Sequence, residues 1–305
     1  MLRAKSILIA MSAGVLIFNT PAAFADCLEL DRELRSTVSA GHLEKFEGIY
    51  KKIVGEPTCD GRYRARAGRL MALASLRAFS RRPGSAHVAR PELERAASYG
   101  QPWQLMQVLG DVYYAQKNYP RAVQSYETAL DDIRDVSVNP KAPPRAVEVR
   151  IAKLAYQARA LAPQYVATRT WRGRPSGLAS PKFRNFTAVS VPVPVRFEYN
   201  KSALTADGEA AGKDILRFFV DQGSPSVRLI GHTDPIGAAD YNMGLSIARA
   251  ESLRAYMLAE GYKGKILVEG KGKSKPFEPD DPTKYTDEER HKFDRRVEYQ
   301  VLSQK

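Results

Sequence analysis

The sequence predicts an α + α/β protein, with an N-terminal α-helical repeat domain and a C-terminal α/β sandwich built on one mixed sheet. Three observations carry this. Between residues 27 and about 163 the chain is rich in Ala, Leu, Arg and Glu, and its apolar residues recur at three- and four-residue steps. From Val189 onward, alternating β-branched runs take turns with amphipathic ones. The stretch between, 164–188, turns to Gly, Pro, Ser and basic residues.

The first element is an export signal over 1–25. Arg3 and Lys5 precede an apolar run from Ile7 to Phe18, and "AFA" closes it ahead of Asp26. A run of about a dozen residues falls short of the roughly 20 that span a bilayer, and an uncleaved anchor is the alternative. Export out of the reducing cytoplasm is the expected consequence. Cys27 and Cys59 are the two cysteines of the chain. In an oxidising compartment they are expected to form one disulfide, the alternative being two buried thiols. The net charge of +13 makes anionic lipid, lipopolysaccharide or wall polymer the polyanions to consider for an exported protein, beside plain solvated charge. Nucleic acid is not expected as a partner.

The helical domain is expected over 26–163. In "HLEKFEGIYKKI", Leu43, Phe46, Ile49, Tyr50 and Ile53 share one face. "GRYRARAGRLMALASLRAFS" and "RPELERAASYG" are further helices. "LGDVYYAQKNYPRAVQSYETAL" resembles a tetratricopeptide repeat: Gly110 and Ala122 are small where two helices meet, and Tyr113 and Tyr126 fill the space around them. An irregular bundle is the other reading. A last helix spans Arg145 to Leu161. His42 and His87 lack metal-ligand spacing and read as surface residues. Such a stack presents a concave surface to a peptide or another protein.

Residues 164–188 form a basic linker, in which Trp171 marks either a contact with a membrane or polyanion or a segment packed on a domain. The second domain covers 189–305. "VSVPVPVRFEY" is a strand whose Pro192 and Pro194 hold its start at a sheet edge. A helix over "TADGEAAGKDILRFFVDQG", the strand "SVRLIGHT", a helix from Ala239 to Glu260, and the strands "KILVEGKG" and "RRVEYQVL" follow. Gly231 and Gly237 are expected to serve backbone geometry, and Leu245, Ala248 and Leu253 to pack the core.

The motifs "FEYNKSAL", "GHTDPIG", "NMGLSIARAESLRAYML" and "DRRVEYQVL", in this order, resemble the OmpA-like peptidoglycan-binding domain. The resemblance implies a ligand, the diaminopimelate of peptidoglycan stem peptides, whose free end carries an ammonium and a carboxylate. Asp234 suits the ammonium, and Arg249 suits the carboxylate through its two-pronged guanidinium. Asn242 lies two turns before Arg249 on the same helix face. By resemblance Asn200 and Arg296 complete the pocket. Ile236 stands where the family has a small or hydroxylated residue. Asp294 stands where it has Asn, and is expected to pair with Arg295 or Arg296. The loop "KSKPFEPDDPTKYTDEERHKF" is expected to alter access.

No enzyme is expected: His232 and Ser246 are not spaced as a catalytic set, and neither metal ligands nor paired carboxylates converge. No cofactor is expected. The reading is a non-catalytic periplasmic tether holding an envelope partner to peptidoglycan. The alternative is an interaction adaptor whose wall pocket has decayed.

Overall fold

The computed structural model describes residues 22–40, 43–81, 90–169, 182–183, 186–187, 190–193 and 195–302. The export signal up to residue 21, His42, His87, Trp171 and Pro194 lie outside the described residues. The chain forms two compact units, 1–71 and 72–305.

In the first unit, α1 (Ala22–Ala40) packs on α2 (Leu43–Gly55), and α3 (Gly61–Ser80) begins there. Phe46, Ile49 and Ile53, the face read from the sequence, are almost fully buried with Leu34. Cys27 and Cys59 form a disulfide with a Cα–Cα distance of 5.5 Å. Asp31 is also buried, and its carboxylate takes Arg35 at 2.7 Å.

The second unit continues with α4 (Arg90–Tyr99), α5 (Trp103–Ala115), α6 (Tyr119–Arg134) and α7 (Arg145–Leu161). Asn118 caps α6 by accepting from the Arg121 amide, and three residues turn the chain between α5 and α6. The helices close because residue 110 is glycine: a Cβ there would stand 2.6 Å from the Tyr126 ring. Tyr126 is fully buried and donates to Asp111, while Tyr113 donates to Glu94.

Two short strands, β1 (Lys182–Phe183) and β2 (Phe186–Thr187), pair with each other. The main sheet has the order β3-β6-β4-β5, from β3 (Val191–Val193), β4 (Val227–Gly231), β5 (Ile266–Gly270) and β6 (Val297–Val301). β4 runs parallel to β5 and antiparallel to β6, so the sheet is mixed. Helices α8 (Ala206–Asp221) and α9 (Ala239–Ala259) supply Ile215, Phe219, Leu253 and Met257 to the core, against Val227, Leu229, Val297 and Tyr299. β3 is an edge strand, as Pro192, which cannot donate to a ladder, requires, and it spans three residues rather than the expected eleven. Leu253 is fully buried, whereas Leu245 and Ala248 are only half-buried.

The helices α5–α7 dock on the long loop ahead of β6, which carries a 3-10 turn (Pro282–Lys284) and α10 (Asp287–Asp294). Tyr156 of α7 donates to the Phe293 carbonyl, and Tyr285 donates to Gln157 and accepts from Tyr114. Residues 165–169 of the expected linker are tied to α8: Tyr165 donates to Asp214, and Arg169 grips the same carboxylate at 2.7 and 2.9 Å.

Candidate functional site

The site is built where β4 ends and α9 begins. Residue 231 must be glycine because Ser246 of α9 crosses so closely that a Cβ would sit 1.9 Å from its carbonyl oxygen. The chain then turns through 232–238, with Gly237 at φ +96°, a conformation that costs glycine little. Asp234 Oδ1 accepts from the Ile236 amide at 3.2 Å, and Asn242 donates its side-chain amide to the Ile236 carbonyl at 2.9 Å. Lys273 donates to the Gly237 carbonyl at 2.8 Å from the far side. The turn is therefore pinned on three sides.

Asp234 Oδ2 takes Arg295 at 2.8 Å. Arg249, only 3% exposed, donates Nε to the Lys201 carbonyl at 3.1 Å, and its guanidinium lies 5.3 Å from the centre of the Phe197 ring. Burial and the neighbouring Arg295 lower its pKa, and Asp234 partly offsets them. Among the described residues no carboxylate stands within ion-pair distance of Arg249. Asn200 is exposed at φ +55° and accepts from the Tyr241 hydroxyl at 2.9 Å. That left-handed turn, which asparagine tolerates, sits directly before the carbonyl that Arg249 uses.

Asp234, Arg249, Asn242 and Asn200 thus belong to one neighbourhood, in differing roles. Asn242 is 2% exposed and spends its amide on the turn, so it shapes the site from behind. Arg296 does not join them. It is held by Glu298 at 2.7 Å, donates to the Lys275 carbonyl and lies over Phe277. The arginine that reaches Asp234 is Arg295, which the sequence reading passed over. Strand alternation carries the signal: residue 295 shares its parity with the core-facing Val297 and Tyr299, and Arg296 with Glu298.

Residues 196–290 match the sequence model of the OmpA family. The C-terminal domain is OmpA-like. Outer membrane protein A of Escherichia fergusonii is 38% identical over 85 residues, which is 27% of this chain and 35% of that protein. Among solved structures, the OmpA-like domain of FopA1 from Francisella tularensis shares 24% identity over 37% of this chain and 73% of that one, with a TM-score of 0.30. The peptidoglycan-associated lipoprotein from Burkholderia pseudomallei shares 20% over 36% and 88%, with a TM-score of 0.29. The chain spans between 10% and 35% of the length of the first curated relatives it matches.

Within the OmpA-like domain the other polar cluster lies on the opposite side of the sheet. His232 is 3% exposed, with Nε2 3.7 Å from Glu298 and the Lys275 backbone beside its ring. Burial and then Arg296 lower its pKa to about 4, against Glu298. Ser246 donates to the Met243 carbonyl and accepts from the Gly272 amide, so it ties α9 to the turn after β5. Asp294 was expected to compete for an arginine. Instead it accepts from the Phe277 amide at 2.7 Å and anchors the loop. Burial raises its pKa. Among the described residues no group of three or more His, Cys, Asp or Glu could hold a metal ion, and no helix is long and apolar enough to cross a membrane.

Proposed function

We propose that this chain is a non-catalytic, periplasmic peptidoglycan-binding protein of the cell envelope, which holds the diaminopimelate of stem peptides at Asp234 and Arg249. The observation that carries the reading is Arg249. A guanidinium 3% exposed, resting on one carbonyl and one aromatic face, keeps a desolvated positive charge. The Asp234–Arg295 pair beside it is neutral as a unit, so the cluster has one positive charge in excess. A carboxylate supplies the missing charge, and charge-assisted bonds of this kind are about twice as strong as neutral ones. Asp234 keeps lone pairs beyond those taken by Ile236 and Arg295, and these can receive the ligand's ammonium.

The helices α4–α6 leave a groove of about 750 Å³, lined in part by Glu94, Met106, Tyr113, Arg121 and Glu127. A mixed-charge groove with an apolar floor suits an extended segment of an envelope protein, which makes the molecule a tether between that partner and the wall. Peripheral contact with the outer membrane would come from the basic surface or from that partner.

Sedimentation with purified diaminopimelate-type peptidoglycan tests the reading. The wild-type protein is expected in the pellet, with Asp234→Ala and Arg249→Ala folded by circular dichroism and left in the supernatant. Identical behaviour of all three would favour an adaptor whose wall pocket has decayed.

A further inference from the structure

A cavity of about 360 Å³ opens beside the candidate site, between the C-terminal end of α7 and the OmpA-like domain. Its walls include Tyr156 and the 160–163 backbone on one side and Val193, Val195 and Phe197 on the other, so its floor is apolar. Among the described residues, five cations line it, Arg159, Arg196, Arg249, Lys292 and Arg295, and no acidic side chain does.

Two of the five are spent. Arg159 uses all three guanidinium nitrogens on the Val166 carbonyl, Glu127 and Thr168. Arg196 fastens α7 to the domain through Asp207 and the carbonyls of Arg159, Ala162 and Pro163. The other three keep donors available. Among the described residues, Arg249 gives only Nε to Lys201, and Arg295 gives only Nη1 to Asp234. Lys292 stands 3.7 Å from Glu288, whose side chain is 79% exposed.

We propose that this cavity is a second subsite that takes the free α-carboxylate of a small apolar residue following the diaminopimelate, with Lys292 and Arg295 as the cations and α7 as its far wall. The inference rests on the wall-binding reading above and extends it. The ligand would be a stem peptide ending in D-alanine: one methyl group for the apolar floor and one carboxylate for the cations. The helical region would then form part of the wall-binding pocket as well as a surface for a partner.

Calorimetric titration of the full chain with three synthetic stem peptides tests this. They are the tripeptide ending in diaminopimelate, the tetrapeptide ending in D-alanine, and that tetrapeptide as its C-terminal amide. The acid is expected to bind about tenfold tighter than the amide, the scale of one charge-assisted contact. Lys292→Ala is expected to shrink that ratio to about twofold and leave the tripeptide unchanged, and Lys292→Arg to restore it. Equal affinity for acid and amide, with the tripeptide still bound, overturns the subsite alone. Failure of all three peptides to bind overturns the wall-binding reading and the subsite with it.

Discussion

Arg295 donates to the carboxylate of Asp234 at 2.8 Å across 61 positions of sequence, joining the entry to β6 with the turn that follows β4. Its neighbour Arg296 points through the other side of the sheet to Glu298 at 2.7 Å. Adjacent arginines just ahead of β6 thus serve opposite faces, and they are expected to fail differently. Arg295→Ala should release peptidoglycan with a small change in melting temperature, since the pair it breaks is part-exposed. Arg296→Ala should keep wall binding and lose roughly 2 kcal/mol, because it leaves the half-buried Glu298 carboxylate with the Ser190 hydroxyl in place of a charged partner. Sedimentation and thermal unfolding of both variants check this. Loss of wall binding in Arg296→Ala alone would reverse the assignment.

His232 makes the stability of the OmpA-like domain depend on pH. Its folded pKa, about 4, lies below the ordinary 6.5, so the folded state takes up the proton less readily than the unfolded chain. The stability it contributes is full above about pH 6.5 and is lost as pH falls towards 4. The charged groups that bear on it are Arg296, Glu298 and Lys271, with the Lys275 backbone nearby. Glu298 also lies below its usual range: burial raises its pKa, but Arg296, the Ser190 hydroxyl and His232 together outweigh burial, and its contribution is lost in the same direction. Melting temperature measured between pH 7 and 4.5 should fall steeply for the wild type and more gently for His232→Gln. Parallel curves would remove His232 from the account.

The Cys27–Cys59 bridge closes a loop across 32 positions in a small helical unit. In the chain-entropy picture it stabilises that unit by roughly 3 to 4 kcal/mol. Reduction, or Cys59→Ser, should expose the first unit to limited proteolysis and leave wall binding intact. An unchanged digestion pattern would contradict that role.

Much of the fold was legible because periodicity and punctuation agree. Phe46, Ile49 and Ile53 fall on one face, Gly110 stands opposite Tyr126, and glycine at 231 answers a close approach of α9. The site was partly legible. Asp234 and Arg249 stand out by residue type, yet the choice between Arg295 and Arg296 needed the parity of β6, which "RRVEYQVL" does carry. That Asn242 faces the turn follows from a hydrogen bond to a backbone carbonyl, which no side-chain pattern announces. The docking of α7 on the loop before β6 was illegible for a related reason. Tyr156, Phe277, Tyr285 and Phe293 are aromatic residues scattered across two regions, and only the folded chain brings them together.

The central claim is that Arg249 holds a carboxylate while Asp234 holds an ammonium, and one titration addresses it most directly. Stem tripeptides ending in diaminopimelate or in lysine, with the C-terminus amidated, are each titrated into the folded wild-type protein and into Arg249→Ala; within the peptide the lysine side chain keeps its terminal ammonium and lacks the carboxylate beside it. The account predicts that the wild type binds the diaminopimelate peptide at least about tenfold more tightly than the lysine peptide, and that Arg249→Ala removes the difference. Equal binding of the two peptides by the wild type, or a preference that survives in Arg249→Ala, would contradict it.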